Sequence, residues 1–153
     1  MDLGLKGKVA IIGGGSMGIG FGIASRLAAE GADLVIFARR APKLEVAAAE
    51  ISSKYCVRVV PVSADIRNQD ESGRIVQTAL DHFGKLDILV NNDGAPPLGP
   101  IDSFDDVVWQ KAIEQNLFSV IRMVRSALPH LKASGTGSIL NISAISAIQP
   151  IAG

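Results

Sequence analysis

The stretch Val9-Ala-Ile-Ile-Gly-Gly-Gly-Ser-Met-Gly-Ile-Gly20 decides how the rest of the chain is read. Its first four residues are apolar, mostly β-branched and too few for a helix, so they predict a strand. They break into five glycines within the eight residues 13–20. Beyond the break, Gly20, Ala24 and Ala28, with Ile19, Ile23 and Leu27, recur every four residues, as one face of a helix does. A strand, a glycine turn and a helix N-terminus together form a place for a phosphate. Unpaired N–H groups and the positive end of the helix dipole point at it, and glycine lets the backbone come close. Gly13, Gly15 and Gly18 satisfy G-x-G-x-x-G, the dinucleotide fingerprint. Gly14, Gly18 and Gly20 satisfy G-x-x-x-G-x-G. The Gly-Lys-Ser/Thr ending of a triphosphate-binding loop is absent, because Phe21 follows Gly20. The competing reading is a turn whose glycines serve packing alone.

Composition narrows the class. A chain of 153 residues with 48% hydrophobic content can bury a core and is expected to be one domain, residues 1–153. Fifteen basic and fifteen acidic residues leave no net field, which argues against nucleic acid and anionic membrane as partners. Cys56 is the only cysteine, so no internal disulfide can form, and it reads as a small buried apolar residue. Residues 1–8 lack the apolar core of a signal peptide and no apolar run approaches a membrane span, so a cytoplasmic protein is expected. His82 and His130 stand singly, without a metal-ligand spacing, and no metal is expected.

The pattern then alternates. Residues 34–38, 57–62, 86–90 and 138–142 read as further strands. Residues 42–54, 67–83 and 102–131 read as helices, the last with a stripe of Ile113, Leu117, Val120, Val124 and Leu128 and a cap at Asp102 or Ser103. Alternating strands and helices predict a doubly wound parallel sheet, an α/β/α Rossmann-type fold, with ligands beyond the C-terminal strand ends. The second strand ends in Arg39-Arg40. A 2′-phosphate wants arginine there, whereas ribose hydroxyls want a carboxylate, and Asp33 lies at the wrong end of the strand. NADP(H) is thereby favoured over NAD(H); two solvated arginines are the plainer alternative. Asp65 can accept from an amine or cap the next helix, and Ile66 can pack on a flat ring. Asn91 and Asn92 offer amides where a cofactor would pass. Asn116, among Ala112, Ile113, Leu117 and Val120, is expected to face inward, where an amide needs partners.

With these motifs in order, the whole chain resembles the short-chain dehydrogenase/reductase family. Gly14, Gly18 and Gly20 match its Thr-Gly-x-x-x-Gly-x-Gly turn, with Gly13 in place of threonine. Asn91, Asn92 and Gly94 match its Asn-Asn-Ala-Gly motif, with Asp93 replacing alanine, and the run 84–90 leading into it is typical. The resemblance implies hydride transfer between NAD(P)(H) and a carbonyl/alcohol pair, of the 3-oxoacyl-reductase kind. It implies cofactor contacts along Gly14, Ser16, Met17, Gly18, Ile19 and Gly20, and again at Arg39, Arg40, Asp65, Ile66, Asn91, Asn92 and Gly94. It gives Asn116 a place in a proton relay, beside the alternative of an amide that fixes helix to sheet. It also implies a homo-oligomer through the 102–131 helix.

The last motif departs. The family's Asn-Ile-Ser-Ser reads Asn141-Ile-Ser-Ala144 here, so the expected catalytic serine is Ala144, and Ser143 or Ser146 are the nearest hydroxyls. The family's Tyr-x-x-x-Lys pair would fall about a dozen residues past Ala144, and the only tyrosine is Tyr55. Residues 133–153 hold no charged side chain, an end expected to be covered by more chain. The sequence therefore reads as the cofactor-binding half of a larger enzyme, with a non-catalytic dinucleotide-binding module or an assembly subunit as alternatives.

Overall fold

Five parallel strands, β1 (Val9–Gly13), β2 (Asp33–Ala38), β3 (Val59–Ser63), β4 (Ile88–Asn91) and β5 (Ser138–Asn141), make one sheet in the order β3-β2-β1-β4-β5. The helices α1 (Gly18–Ala29), α2 (Ala41–Tyr55), α3 (Glu71–Phe83), α4 (Asp106–Ile113) and α5 (Ser119–Ala133) fill the crossovers. This computed structural model describes residues 2–92, 94, 97–145 and 148–149. The doubly wound α/β fold read from the sequence is the one observed.

Period-two alternation explains why the core has two halves. Val9 and Ile11 of β1 join Val35, Phe37, Ile75, Ala79, Met123 and Ala127 under α3 and α5. Ala10 and Ile12 join Leu34, Ile36, Ala24, Ala28 and Leu44 under α1 and α2. Because both faces are covered, β1 is buried along its whole length and reads as a continuous apolar run. The strand order reverses between β1 and β4, and that switch point opens a crevice at the C-terminal strand ends.

Several boundaries differ from the sequence reading. Cys56 adopts a left-handed φ of 56° and closes α2, so β3 starts at Val59 rather than at 57; the residue is exposed, not buried. The helix expected from 67 begins at Glu71, because residues 67–70 form a turn held by Asp65. The span expected as one helix over 102–131 starts at Asp106. Its cap is Asp105, whose carboxylate accepts the Val108 N–H at 3.0 Å, while Asp102 and Ser103 lie in a preceding 3-10 turn. Between α4 and α5 the helix widens into a π turn over Glu114–Phe118. The extra residue shifts the inward face: Ser119, Met123, Ala127 and Leu131 are buried, whereas Ile113, Leu117 and Leu128 of the expected stripe are exposed.

At the opposite end of the sheet Asp87 ties three strands together. Its carboxylate, 3% exposed, accepts the Val9 N–H at 2.9 Å and pairs with Lys85 at 3.1 Å and Lys8 at 3.5 Å. Its own N–H donates to Val9 and its carbonyl accepts from Ser138. Burial works to raise its pKa, but the Val9 N–H and the two lysines outweigh that and hold the carboxyl below its ordinary value. A carboxylate with a depressed folded pKa stabilises the fold above its unfolded pKa and loses that contribution as pH falls. We expect Asp87→Ala to cost about 1–3 kcal/mol, since it leaves the buried Val9 N–H without its acceptor, while Lys8 and Lys85 reach solvent. Thermal melts from pH 7 downward should show the wild type losing stability below about pH 5, with Asp87→Asn following a flatter curve. Parallel curves would show that Asp87 is not the titrating clip.

Candidate functional site

The glycine turn is built by close approach. A Cβ placed on Gly20 would collide with the carbonyl oxygens of Gly14 and Gly13, so α1 can sit on the end of β1 only with glycine there. Gly14 has φ of 64°, and a Cβ on it would lie 2.5 Å from the Asn92 carbonyl oxygen. Gly18 differs: φ is 59°, yet a Cβ there meets nothing within 4 Å. The first turn of α1 is thus bare on its outer side. Met17, at the N-cap, gives no side-chain hydrogen bond, so the leading N–H groups remain available.

Beside this turn lies a groove of about 680 Å³, lined on one wall by Gly14, Ile19, Arg39 and Asn92, and on the other by residues of α4 and the turn after it. Of the residues singled out in the sequence, Gly14, Ile19, Arg39, Asn92 and Gly94 line it. Asn92 donates from Nδ2 to the Gly13 carbonyl at 3.2 Å, which joins the ends of β4 and β1. Gly94, at φ 130°, presses its backbone against the Asn116 amide; a Cβ there would strike Asn116 Oδ1. Arg39 and Arg40 are exposed where β2 passes into α2, and Arg40 donates to the Met17 sulfur at 3.5 Å. Ser16 and Met17 line a second, shallower groove against Pro42 and Val46 of α2.

Four residues are placed differently from expectation. Ile66 is 4% exposed and packed in the core beside Val62 and Ala64, in the turn that follows β3. Asn91 is 7% exposed and donates its amide to Asn141 Oδ1 at 2.8 Å, so it clips β4 to β5. Asn116 is exposed rather than inward. It lies in the π turn and donates from Nδ2 to the Ala112 carbonyl at 2.9 Å. Asp65 does not cap a helix: it takes the Arg67 N–H at 3.1 Å and the Arg67 guanidinium at 2.9 Å. That guanidinium hydrogen bond, against the opposing effect of burial, lowers the Asp65 pKa, helped by the Arg67 backbone N–H and the charges of Arg67 and Arg39.

Ser143 and Ala144 are both exposed beyond the end of β5, which stops at Asn141, so strand alternation does not orient them. Ser146, Asp93 and Pro96 lie outside the described residues. Among the described residues no group of histidine, cysteine and carboxylate side chains could hold a metal, and no helix is long and apolar enough to cross a membrane. Sequence reasoning missed Arg67, Val108, Lys111, Ala112 and Gln115 in the groove. Their signal was spacing: 108, 111, 112 and 115 share one helical face.

The family model for short chain dehydrogenases matches residues 8–153. Dehydrogenase/reductase SDR family member 4 of Caenorhabditis elegans is 35% identical over 145 residues, 94% of this chain and 56% of that protein. L-sorbose reductase of Gluconobacter frateurii, solved with NADPH and L-sorbose, superposes with a TM-score of 0.95 at 38% identity, covering 99% of this chain and 57% of that one. A 7α-hydroxysteroid dehydrogenase solved with NADH and 7-oxoglycochenodeoxycholic acid gives a TM-score of 0.91 at 31% identity, covering 96% and 57%. The chain spans about half the length of the relatives it matches.

The geometry separates two glycines that look alike in sequence. Gly20→Ala must push α1 off the β1 turn, at a cost of about 1–3 kcal/mol or more. Gly18→Ala adds strain of about 1–2 kcal/mol from its positive φ and no clash. Thermal denaturation should rank Gly20→Ala below Gly18→Ala; the reverse order would contradict the seating of α1 described above.

Proposed function

We propose that this chain, which belongs to the short-chain dehydrogenase family, binds NADP(H) in the groove at the β1–β4 switch point and forms the cofactor-binding part of an oxidoreductase. The observation that carries this is the bare first turn of α1, where Gly18 leaves room that a Cβ would take, beside a rim of exposed arginine. The residues fit such a group. Gly14, Gly18, Ile19 and the N–H groups of α1 would hold the pyrophosphate, Asn92 and Gly94 would border the ribose, and Asp65 would meet the adenine amine. Arg39 and Arg40 would hold the 2′-phosphate, with Ser16 and Met17 next to them. Bound there, the nicotinamide supplies or accepts a hydride. Asn116, fixed to the Ala112 carbonyl at the groove's rim, is the residue we assign to position a water for proton transfer. The substrate class we propose is a small carbonyl/alcohol pair, and the exposed Trp109, Ile113, Leu117 and Phe118 suit pairing with a second copy.

The preference for NADPH is argued from Arg39 and Arg40, since one charge-assisted phosphate contact contributes about 1.5–3 kcal/mol, about tenfold or more in affinity. Fluorescence titration should give a lower dissociation constant for NADPH than for NADH. Arg39→Ala combined with Arg40→Ala should remove most of that difference while sparing NADH. Equal constants in the unsubstituted chain would overturn the NADP(H) assignment.

A second reading, a binding module without turnover, draws on Ala144. No hydroxyl stands where the family's serine does, and Tyr55 ends α2, at the opposite end of the sheet from the groove. General acid–base catalysis contributes about 10²–10⁴-fold, and residues 1–153 offer no tyrosine to supply it. We expect the 153-residue chain to bind NADPH without oxidising it in the presence of small ketones or quinones. Steady turnover by this species would reject that expectation and reinstate Ser143 as a catalytic candidate.

A further inference from the structure

The groove holds a third cation besides Arg39 and Arg67. Lys111, in the last turn of α4, lines the groove on the wall opposite Arg39 and Gly14. Its side chain makes no hydrogen bond or ion pair with any described residue. Its own helix cannot neutralise it. The carboxylate that helical spacing brings nearest, Glu114 three positions on, accepts from Arg122 at 2.7 and 3.4 Å. Val107 and Gln115, four positions away on either side, carry no charge. The groove does not neutralise it either. Arg39, Arg67 and Lys111 all line it, and no carboxylate side chain does so among the described residues. Of the three, Arg67 is bound to Asp65, while Lys111 projects from a helix whose backbone is fixed by its own hydrogen bonds. An ammonium without a counter-ion, in a groove that Arg39 also lines and no described carboxylate does, leaves a local positive excess that an anion between the walls relieves.

We infer that Lys111 is a cofactor-binding residue, whose ammonium engages a phosphate of the dinucleotide from the α4 wall, while from the other wall the glycine turn engages the pyrophosphate and Arg39 the 2′-phosphate. This rests on the dinucleotide reading of the groove. A lysine suits the task because its three donors rotate on a long stem and act as a point charge, without the fixed fork of arginine. The phosphate in question is either the pyrophosphate, common to both nicotinamide dinucleotides, or the 2′-phosphate of NADPH alone.

The test is titration of NADPH and NADH into the unsubstituted chain, Lys111→Gln, Lys111→Arg and Lys132→Gln, a lysine at the far end of α5. At low ionic strength Lys111→Gln should weaken binding about fivefold, with the loss shrinking toward nothing at about 1 M salt. Lys111→Arg should recover most of the affinity, and Lys132→Gln should stay within about twofold of the unsubstituted chain. An equal loss for both cofactors assigns Lys111 to the pyrophosphate, and a loss confined to NADPH assigns it to the 2′-phosphate. If the unsubstituted chain binds and Lys111→Gln binds equally well, or no worse than Lys132→Gln, the inference is overturned and the groove reading stands. If the unsubstituted chain binds neither cofactor, the groove reading falls and takes this inference with it.

Discussion

The seating of α1 on the end of β1 depends on a side chain that is absent, the one Gly20 lacks. With glycine there the carbonyls of Gly13 and Gly14 come within contact of the helix backbone; with any Cβ they could not. Gly14 performs the same service toward β4, where the Asn92 carbonyl lies too close for a side chain. Asn92 returns the contact by donating to Gly13. Through these approaches the ends of β1 and β4 and the start of α1 become one rigid corner. The groove is the space left beside that corner, so its shape follows from main chain meeting main chain.

The two ends of the sheet differ in charge. At the strand starts carboxylates are matched: Asp87 with Lys8 and Lys85, Asp33 with Arg58. At the strand ends Arg39, Arg67 and Lys111 line the groove, no described carboxylate does, and Asp65 at the end of β3 is held by Arg67. A chain of zero net charge thereby carries a basic crevice without any run of basic residues in its sequence. Matching at one end costs little in isolation but makes the excess at the other end local, and an anion entering the groove meets it at short range.

The π turn connects this crevice to the outer helix face. One additional residue over Glu114–Phe118 lets Asn116 reach the Ala112 carbonyl and stand against Gly94, while Ser119 donates to the Gln115 carbonyl. The same insertion rotates α5 relative to α4, so that Met123, Ala127 and Leu131 enter the core. Apolar residues expected inside, such as Leu117, end outside and form with Trp109 and Phe118 an exposed apolar face. Groove geometry and outer surface therefore depend on one irregular turn.

Much of the fold was legible because its signals are local. The run 9–12, the glycines and the alternation of strand and helix depend on residues within a few positions of each other, and the sheet followed from them. The end positions of Arg39 and Asn92 followed too, since a strand's direction is set by the order of its elements. What the sequence left open was the direction of single side chains across unrelated segments. Ile66 and Asn91 look like groove residues beside Asp65 and Asn92, yet one turns into the core and the other clips β5, contacts made with segments distant in sequence. The phase of the 102–131 helix was misjudged because a periodic pattern assumes an unbroken helix, and a π turn resets it. Gly18 and Gly20 are alike in the motif; only the packed structure makes one a seat and the other an opening. Residue type and spacing decide which elements form, but distances between main chains brought together from distant parts of the chain decide what each side chain can touch.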